Sequence, residues 1–357
     1  MKVLFMFYVP SGGVDTLNRQ RCLALRGHGV ECHCLYIRPG AGIQNAGDIP
    51  TFVTSNEAEI GQLIQTHGYT AIIVVSAYEY IPFIRQIGYT GIIIFEVQGY
   101  GPQDQARQAL MQAQPYVLPY VNGVLNPNTP HITALFEELF PNITRFGFNN
   151  SMDTHSFTYR GLPPAGHPVI AWLGRFERGD NKNWREFLML THHLVHVNPA
   201  IQLWMFEDIN LSVPEERAAF YDMLQLLNVG ANTRVLSNIP HPIMADYFSI
   251  IGDSGGFLCL TSKTEGAPYA VIEAMSCRCP VLSTDIDGVR SSLIHNVTGK
   301  VYPMGDITSG FYEALELMQN TVLRNALIHN AQVHVRQEFS PEKYCREFIG
   351  MLRALTN

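Results

Sequence analysis

The strongest constraint in this sequence is an alternation that occurs twice. Short unbroken runs rich in Val, Ile and Phe are separated by segments of helical periodicity. In the first series Lys2–Val9, Val30–Ile37, Ala71–Ser76, Gly91–Gln98 and Gly123–Asn126 read as strands. Asp15–Gly27 (with Leu17, Leu23, Ala24 and Leu25 available to pack), Glu57–His67, Gln103–Tyr116 and His131–Leu139 read as helices. The second series has strands at Val169–Leu173, Gln202–Phe206, Thr233–Leu236, Gly256–Leu260 and Pro280–Thr284. Its helices fall at Asn183–Val197, Pro214–Leu227, Pro242–Ile251, Pro268–Cys277 and Gly310–Phe339. Strands without polar alternation are covered on both faces, which means parallel sheets flanked by helices. Between the series, Asn149–Pro168 carries Pro163-Pro164, Gly161 and Gly166 and reads as a linker.

The expected organisation is therefore α/β, with two Rossmann-like doubly wound domains facing a central cleft. The first covers 1–155 and the second 165–340. A terminal helix at 341–357 joins the first, with Tyr344, Phe348, Met351, Leu352 and Leu355 on its apolar face. At 357 residues the chain can supply two cores.

Charge narrows the partners. With 24 Lys and Arg against 31 Asp and Glu, the net charge of −7 argues against a nucleic-acid binder. It disfavours a general attraction to anionic lipid but leaves peripheral membrane contact open. The seven cysteines are Cys22, Cys32, Cys34, Cys259, Cys277, Cys279 and Cys345, and the close pairs are spaced C-x-C. That pattern reads as reduced, mostly buried thiols in a cytoplasmic protein. Pro10 and Gly12-Gly13 interrupt the apolar start, so it reads as a first strand and not as a signal peptide. His193 and His196 share a helix, but no acid nearby in sequence completes a metal set.

Three motifs carry chemistry. Ser11-Gly12-Gly13 follows the first strand and opens a helix, so its backbone is open to an anion. Alone it is also compatible with a plain strand-to-helix turn. Gly174-Arg175 follows the first strand of the second series, with Lys182 a loop's length later. Two cations there would neutralise a diphosphate, although Glu177, Arg178 and Asp180 crowd the same stretch as in a solvated charged loop. The third motif is the most specific: Glu265-Gly-Ala-Pro-Tyr-Ala-Val-Ile-Glu273. Pro268 suits the first position of a helix, which would leave the amides of Tyr269 and Ala270 for a phosphate. Glu265 sits just before that helix and Glu273 within it. Each carboxylate can accept two hydroxyl donors, which suits a polyhydroxylated ligand. Glu273, flanked by apolar residues, needs a partner if buried.

Together these residues resemble the retaining glycosyltransferases of family 4 (group 1), which have the GT-B fold. Asn150-Ser-Met-Asp153 with Phe157, the Asp285–Gly299 segment and the helix after Phe339-Ser340 extend the resemblance along nearly the whole chain. It implies a hexosyltransferase that takes a UDP- or GDP-sugar to an acceptor hydroxyl with retention, in cell-surface polysaccharide or glycoconjugate synthesis. The acceptor would be a carbohydrate, a lipid-linked species or a small molecule. Arg175 and Lys182 would hold the diphosphate, with the backbone of Ala267, Pro268, Tyr269 and Ala270 beside it. Glu265 would contact the transferred sugar and Glu273 the ribose. Gly12 and Gly13 would approach the donor phosphate from the first domain when the cleft closes about Asn149–Pro168. No metal is implied.

Two departures from the pattern stand out. The spacing from Arg175 to Lys182 is longer than usual, which makes Arg178 an alternative cation. Phe95-Glu96-Val97-Gln98-Gly99 has Gln98 where many members carry His. Gln98 cannot shuttle a proton, but it can hydrogen-bond the sugar or acceptor. The acceptor would be read by loops such as Arg38–Pro50 and Gly99–Gln105. Arg19 and Arg21 on the first helix face either an anionic acceptor or water, and water is the expectation. Two other readings stand beside this one: a non-catalytic subunit of the same fold that binds a partner, and a nucleotide-sugar epimerase.

Overall fold

The computed structural model describes residues 1–40, 42–43 and 46–356. Ala41, Gln44 and Asn45 of the Arg38–Pro50 stretch, and the terminal Asn357, lie outside the described residues. The chain divides into two units, one of residues 1–153 with 338–357 and one of residues 154–337.

The first unit is built on a parallel sheet of β1 (Lys2–Phe7), β2 (Glu31–Tyr36), β3 (Thr51–Val53), β4 (Ala71–Val75), β5 (Ile92–Glu96), β6 (Gly123–Asn126) and β7 (Thr144–Gly147), in the order β3-β2-β1-β4-β5-β6-β7. Its helices are α1 (Gly12–Arg26), α2 (Glu57–His67), α3 (Ile81–Gln86), α4 (Gln103–Val117) and α5 (Pro130–Leu139). The second unit repeats the plan with β8 (Val169–Gly174), β9 (Gln202–Glu207), β10 (Thr233–Ser237), β11 (Phe257–Leu260), β12 (Val281–Thr284) and β13 (Lys300–Tyr302), in the order β10-β9-β8-β11-β12-β13. Here the helices are α6 (Trp184–Val197), α7 (Pro214–Leu226), α8 (Met244–Asp253), α9 (Tyr269–Ser276), α10 (Ile307–Gln319) and α11 (Thr321–Glu338), and α12 (Pro341–Ala354) returns to the first unit. In both sheets the strand order reverses beside the first strand, at β1/β4 and at β8/β11. Open α/β sheets bind ligands beyond the carboxyl ends of strands at such a switch point.

The unalternating runs have the expected cause. Leu4, Met6, Ile72, Val74, Ile93 and Phe95 join one core of the first unit. Val3, Phe5, Ala71, Ile73, Ile92 and Ile94 join another on the opposite face. Successive side chains point to opposite faces, so a strand covered on both sides is apolar throughout. The second core is closed by Tyr344, Cys345, Phe348, Met351 and Leu352 of α12.

Some sequence-level expectations are corrected. Leu23 is 51% exposed, because the buried stripe of α1 runs through Leu17, Asn18, Arg21, Cys22 and Leu25. Three polar residues, Asp15, Asn18 and Arg21, are buried on this helix, where apolarity alone would have placed Leu23. The reason is tertiary, as shown below. The run from Gly310 to Phe339 is two helices, broken at Asn320, whose side chain accepts from the Leu323 amide (3.1 Å). The short strands β3, β7 and β13 and the helix α3 lie in stretches too brief for periodicity to mark.

All seven cysteines are free and buried. Burial pushes the Cys279 thiol up to about 12 and Cys345 up to about 11, and the thiolate is the reactive form. A disulfide-exchange thiol reagent at mildly alkaline pH is therefore expected to label essentially none of the seven in the native protein and all seven in denaturant. Rapid labelling of two or more native thiols would show that this packing is wrong. No helix of the described residues is long and apolar enough to cross a membrane.

Candidate functional site

In the second unit the site grows from the loop after β8. Phe176 is buried, with its ring 5.6 Å from Trp172, 6.0 Å from Trp184 and 4.7 Å from Phe220. This aromatic cluster pins one end of the loop and leaves Arg175 at the strand terminus. The other end is tied to the loop after β11. Thr261 Oγ1 donates to the carbonyls of Lys182 (3.0 Å) and Asn183 (2.8 Å), and Trp172 Nε1 donates to Lys182 O (3.2 Å). Asn181 and Thr264 exchange two further bonds, and the Lys263 amide donates to Asn181 O (2.8 Å). The consequence is an ion pair between Lys182 Nζ and Glu265 Oε1. Ser262 Oγ donates to the same carboxylate oxygen (2.6 Å).

The backbone at Glu265 is held from below. A Cβ built on Gly288 would lie 1.9 Å from Glu265 O, so only glycine lets the turn after β12 approach so closely. Arg175 stands apart, 41% exposed and 4.0 Å from Glu177. Arg178 is exposed. Of the predicted cations, Lys182 is therefore the one in contact with the Glu265 carboxylate, and Arg178 makes no such contact.

Pro268 is the N-cap of α9 (φ −71°, ψ 111°) and not its first helical residue. Its extended ψ turns the chain into the helix, and the first local bond runs from the Val271 amide to Pro268 O (3.2 Å). Tyr269 and Ala270 are thus the first two helical residues, next to Ala267 and the Glu265 loop. A helix start carries partial positive charge and outward amides, which favours an anion.

Glu273 is 6% exposed on α9, and its partner is His241, whose Nε2 lies 2.8 Å from Glu273 Oε1. The His241 ring packs on Phe157 (4.6 Å between centroids), and the Phe157 carbonyl accepts from Ser276 Oγ (2.5 Å). His241, Ser262 and Phe157's packing role are absent from the sequence reading. A signal for His241 was present in the run Pro240-His241-Pro242, where two prolines restrict the backbone of the residue between them.

In the first unit, Ser11 is the N-cap of α1 and Gly12 takes φ +70°. A Cβ at Gly12 or Gly13 would meet nothing within 4 Å, so the backbone there is open. Gln98 follows β5 and its amide is engaged at both ends. Nε2 donates to Glu96 Oε1 (2.6 Å), and Oε1 accepts from Asn150 Nδ2 (2.7 Å). Glu96 in turn pairs with Arg21 (2.7 Å), with side chains 2% and 0% exposed. Arg21 also donates to Asn18 Oδ1 (2.6 Å) and lies over the Phe5 ring (3.8 Å). The expectation that Arg21 faces water is overturned, because a buried carboxylate on the sheet draws the guanidinium inward. Arg19 instead pairs with Asp15 on the same helix (3.1 Å). Among the described residues no group of three or more His, Cys, Asp or Glu is arranged to hold a metal ion.

The fold has counterparts among known proteins. The structure of HepE from Anabaena, solved with UDP and glucose, superposes with a TM-score of 0.83 at 15% identity, covering 99% of this chain and 100% of that one. Sucrose-phosphate synthase from Thermosynechococcus elongatus gives 0.80 at 16% identity over 99% of each chain. These likenesses show the fold, two Rossmann-like units of the GT-B type. The N-acetyl-alpha-D-glucosaminyl L-malate synthase of Bacillus anthracis is 25% identical over 142 residues, a stretch covering 40% of this chain and 36% of that enzyme. Residues 161–334 match the glycosyl transferases group 1 family, and this stretch holds Arg175, Lys182, Glu265 and Glu273. The matched stretch spans most of the second unit.

Proposed function

We propose that the chain transfers a hexose from a UDP- or GDP-sugar to an acceptor hydroxyl, with retention at the anomeric carbon and without a metal ion. The observation that carries this reading is the Lys182–Glu265 pair, set beside the α9 N-terminus at the carboxyl ends of β8 and β11. It puts a cation for phosphate next to a carboxylate for sugar hydroxyls. Arg175 and Lys182 would neutralise the diphosphate, and the α9 amides would add to them. Glu265 would orient the sugar, and Glu273 would accept from the ribose. In the transfer step the anomeric carbon–phosphate oxygen bond breaks. A bond to the acceptor oxygen forms on the same face, and the acceptor proton passes to the leaving phosphate oxygen. No protein base is then required, which is compatible with glutamine at position 98. A cytoplasmic role in surface polysaccharide or glycoconjugate synthesis, with the acceptor read by the first unit, completes the proposal.

A second reading, a non-catalytic subunit of the same fold that binds a partner, is favoured by one observation. Gln98 spends its amide on Glu96 and Asn150. Turnover separates the two. A panel of UDP-, GDP- and ADP-sugars with and without EDTA is expected to give one preferred donor whose conversion EDTA leaves unchanged. Absence of turnover, together with no thermal shift by any of the nucleoside diphosphates, would sink the transferase reading.

A further inference from the structure

We propose that His241 is a positioning residue that fixes the Glu273 carboxylate for recognition of a vicinal diol on the bound nucleoside. The inference rests on the donor reading above. Its ground is a closed circuit of contacts within the second unit. Pro240 enters with φ −57° and ψ 131° and Pro242 follows, so the backbone of His241 is restricted from both sides. The imidazole packs on Phe157, and the Phe157 carbonyl is tied to Ser276, one turn beyond Glu273 on α9. From this seat Nε2 reaches Glu273 Oε1 (2.8 Å).

The division of labour on the carboxylate is informative. Oε1 is taken by His241, whereas Oε2 makes no hydrogen bond among the described residues. Glu273 cannot be a solvated surface acid, since its side chain is only 8% exposed. The imidazole is 33% exposed, and its Nδ1 likewise makes no bond among the described residues. A carboxylate pinned through one oxygen has a single orientation for the other, and a fixed acceptor discriminates hydroxyl from hydrogen far better than a swivelling one. His241 anchors one nitrogen on Glu273 and keeps its ring a third exposed.

The test compares binding of UDP with 2′,3′-dideoxy-UDP (or the guanosine pair if the donor panel selects it) by calorimetry on the full chain. Wild type is expected to prefer UDP by roughly tenfold or more, the loss of one or two hydrogen bonds to a charged group. Glu273→Ala should reduce the preference to within about threefold. His241→Phe, which keeps the ring stack but deletes the donor, should reduce it similarly. His241→Gln, which restores an N–H near Nε2, should recover most of it. His241→Asn, too short to reach, replaces the Phe variant if that chain melts early. Full discrimination in His241→Phe or His241→Asn, with loss in Glu273→Ala, overturns the role of His241 and spares the donor reading. Full discrimination in Glu273→Ala itself removes the ribose assignment and His241's role with it.

Discussion

Replacing Glu265 with alanine is expected to lower kcat/KM for transfer by roughly 10²- to 10³-fold while leaving UDP affinity within about threefold of wild type. The two numbers differ because the carboxylate is assigned to the sugar and not to the diphosphate. Charge-assisted bonds to two hydroxyls contribute about 1.5–3 kcal/mol each, and their loss falls on the transferred group. The diphosphate keeps its cations. Lys182 pairs with Glu265 and Ser262 donates to the same oxygen, so the alanine variant releases Lys182 for phosphate, and UDP binding should hold or tighten. Glu265→Gln keeps the shape but loses the charge and should fall between the two. Steady-state kinetics with the preferred donor and calorimetry with UDP measure both quantities. Equal losses in UDP binding and in transfer would mean that Glu265 serves the diphosphate site or the fold, and the sugar assignment would be withdrawn.

The second large effect lies in the first unit and concerns stability. Arg21→Met should cost about 3–5 kcal/mol, because it strands Glu96 as an unpaired charge in the core. Arg21 and Glu96 are 0% and 2% exposed in their side chains, 2.7 Å apart. Burial alone would lower the affinity of Arg21 for its proton. The carboxylate of Glu96, with Tyr344 adding to it, more than reverses this and raises it above the usual guanidinium value. The melting transition that includes the first unit should fall by about 10 °C. Arg21→Met combined with Glu96→Leu should recover much of the loss, since replacing a whole buried pair by apolar residues is often neutral. The double variant should not recover the orientation of Gln98, which donates to Glu96 Oε1. Calorimetric scans of the single and double variants decide the matter. A single variant within 1 kcal/mol of wild type would mean that water or rearrangement satisfies Glu96, contrary to its burial.

Much of the fold was legible because its signal is local. Unbroken Val/Ile/Phe runs such as Ala71–Val75 and Ile92–Glu96 need cover on both faces, and any chain that supplies helices between them closes a parallel sheet. The carboxylates Glu265 and Glu273 could likewise be found by spacing, since a short helix and its entry loop set their separation.

What the sequence could not determine is which side chains the fold brings into contact across long separations. Lys182 and Glu265 are remote in the chain and meet only because Thr261, Asn181 and Thr264 tie their two loops together. Spacing left Arg178 as an alternative cation, and it is the tie between the loops that sets Lys182 against Glu265. His241 became the partner of Glu273 through its packing on Phe157, whose carbonyl Ser276 of α9 holds. Arg21 looked like a surface charge on a helix until Glu96, on a strand 75 positions away, drew it into the core. Periodicity records where a residue prefers to be, one segment at a time. Charge pairing in a core is decided between segments, where a single buried ion outweighs the apolar preference of a neighbour such as Leu23.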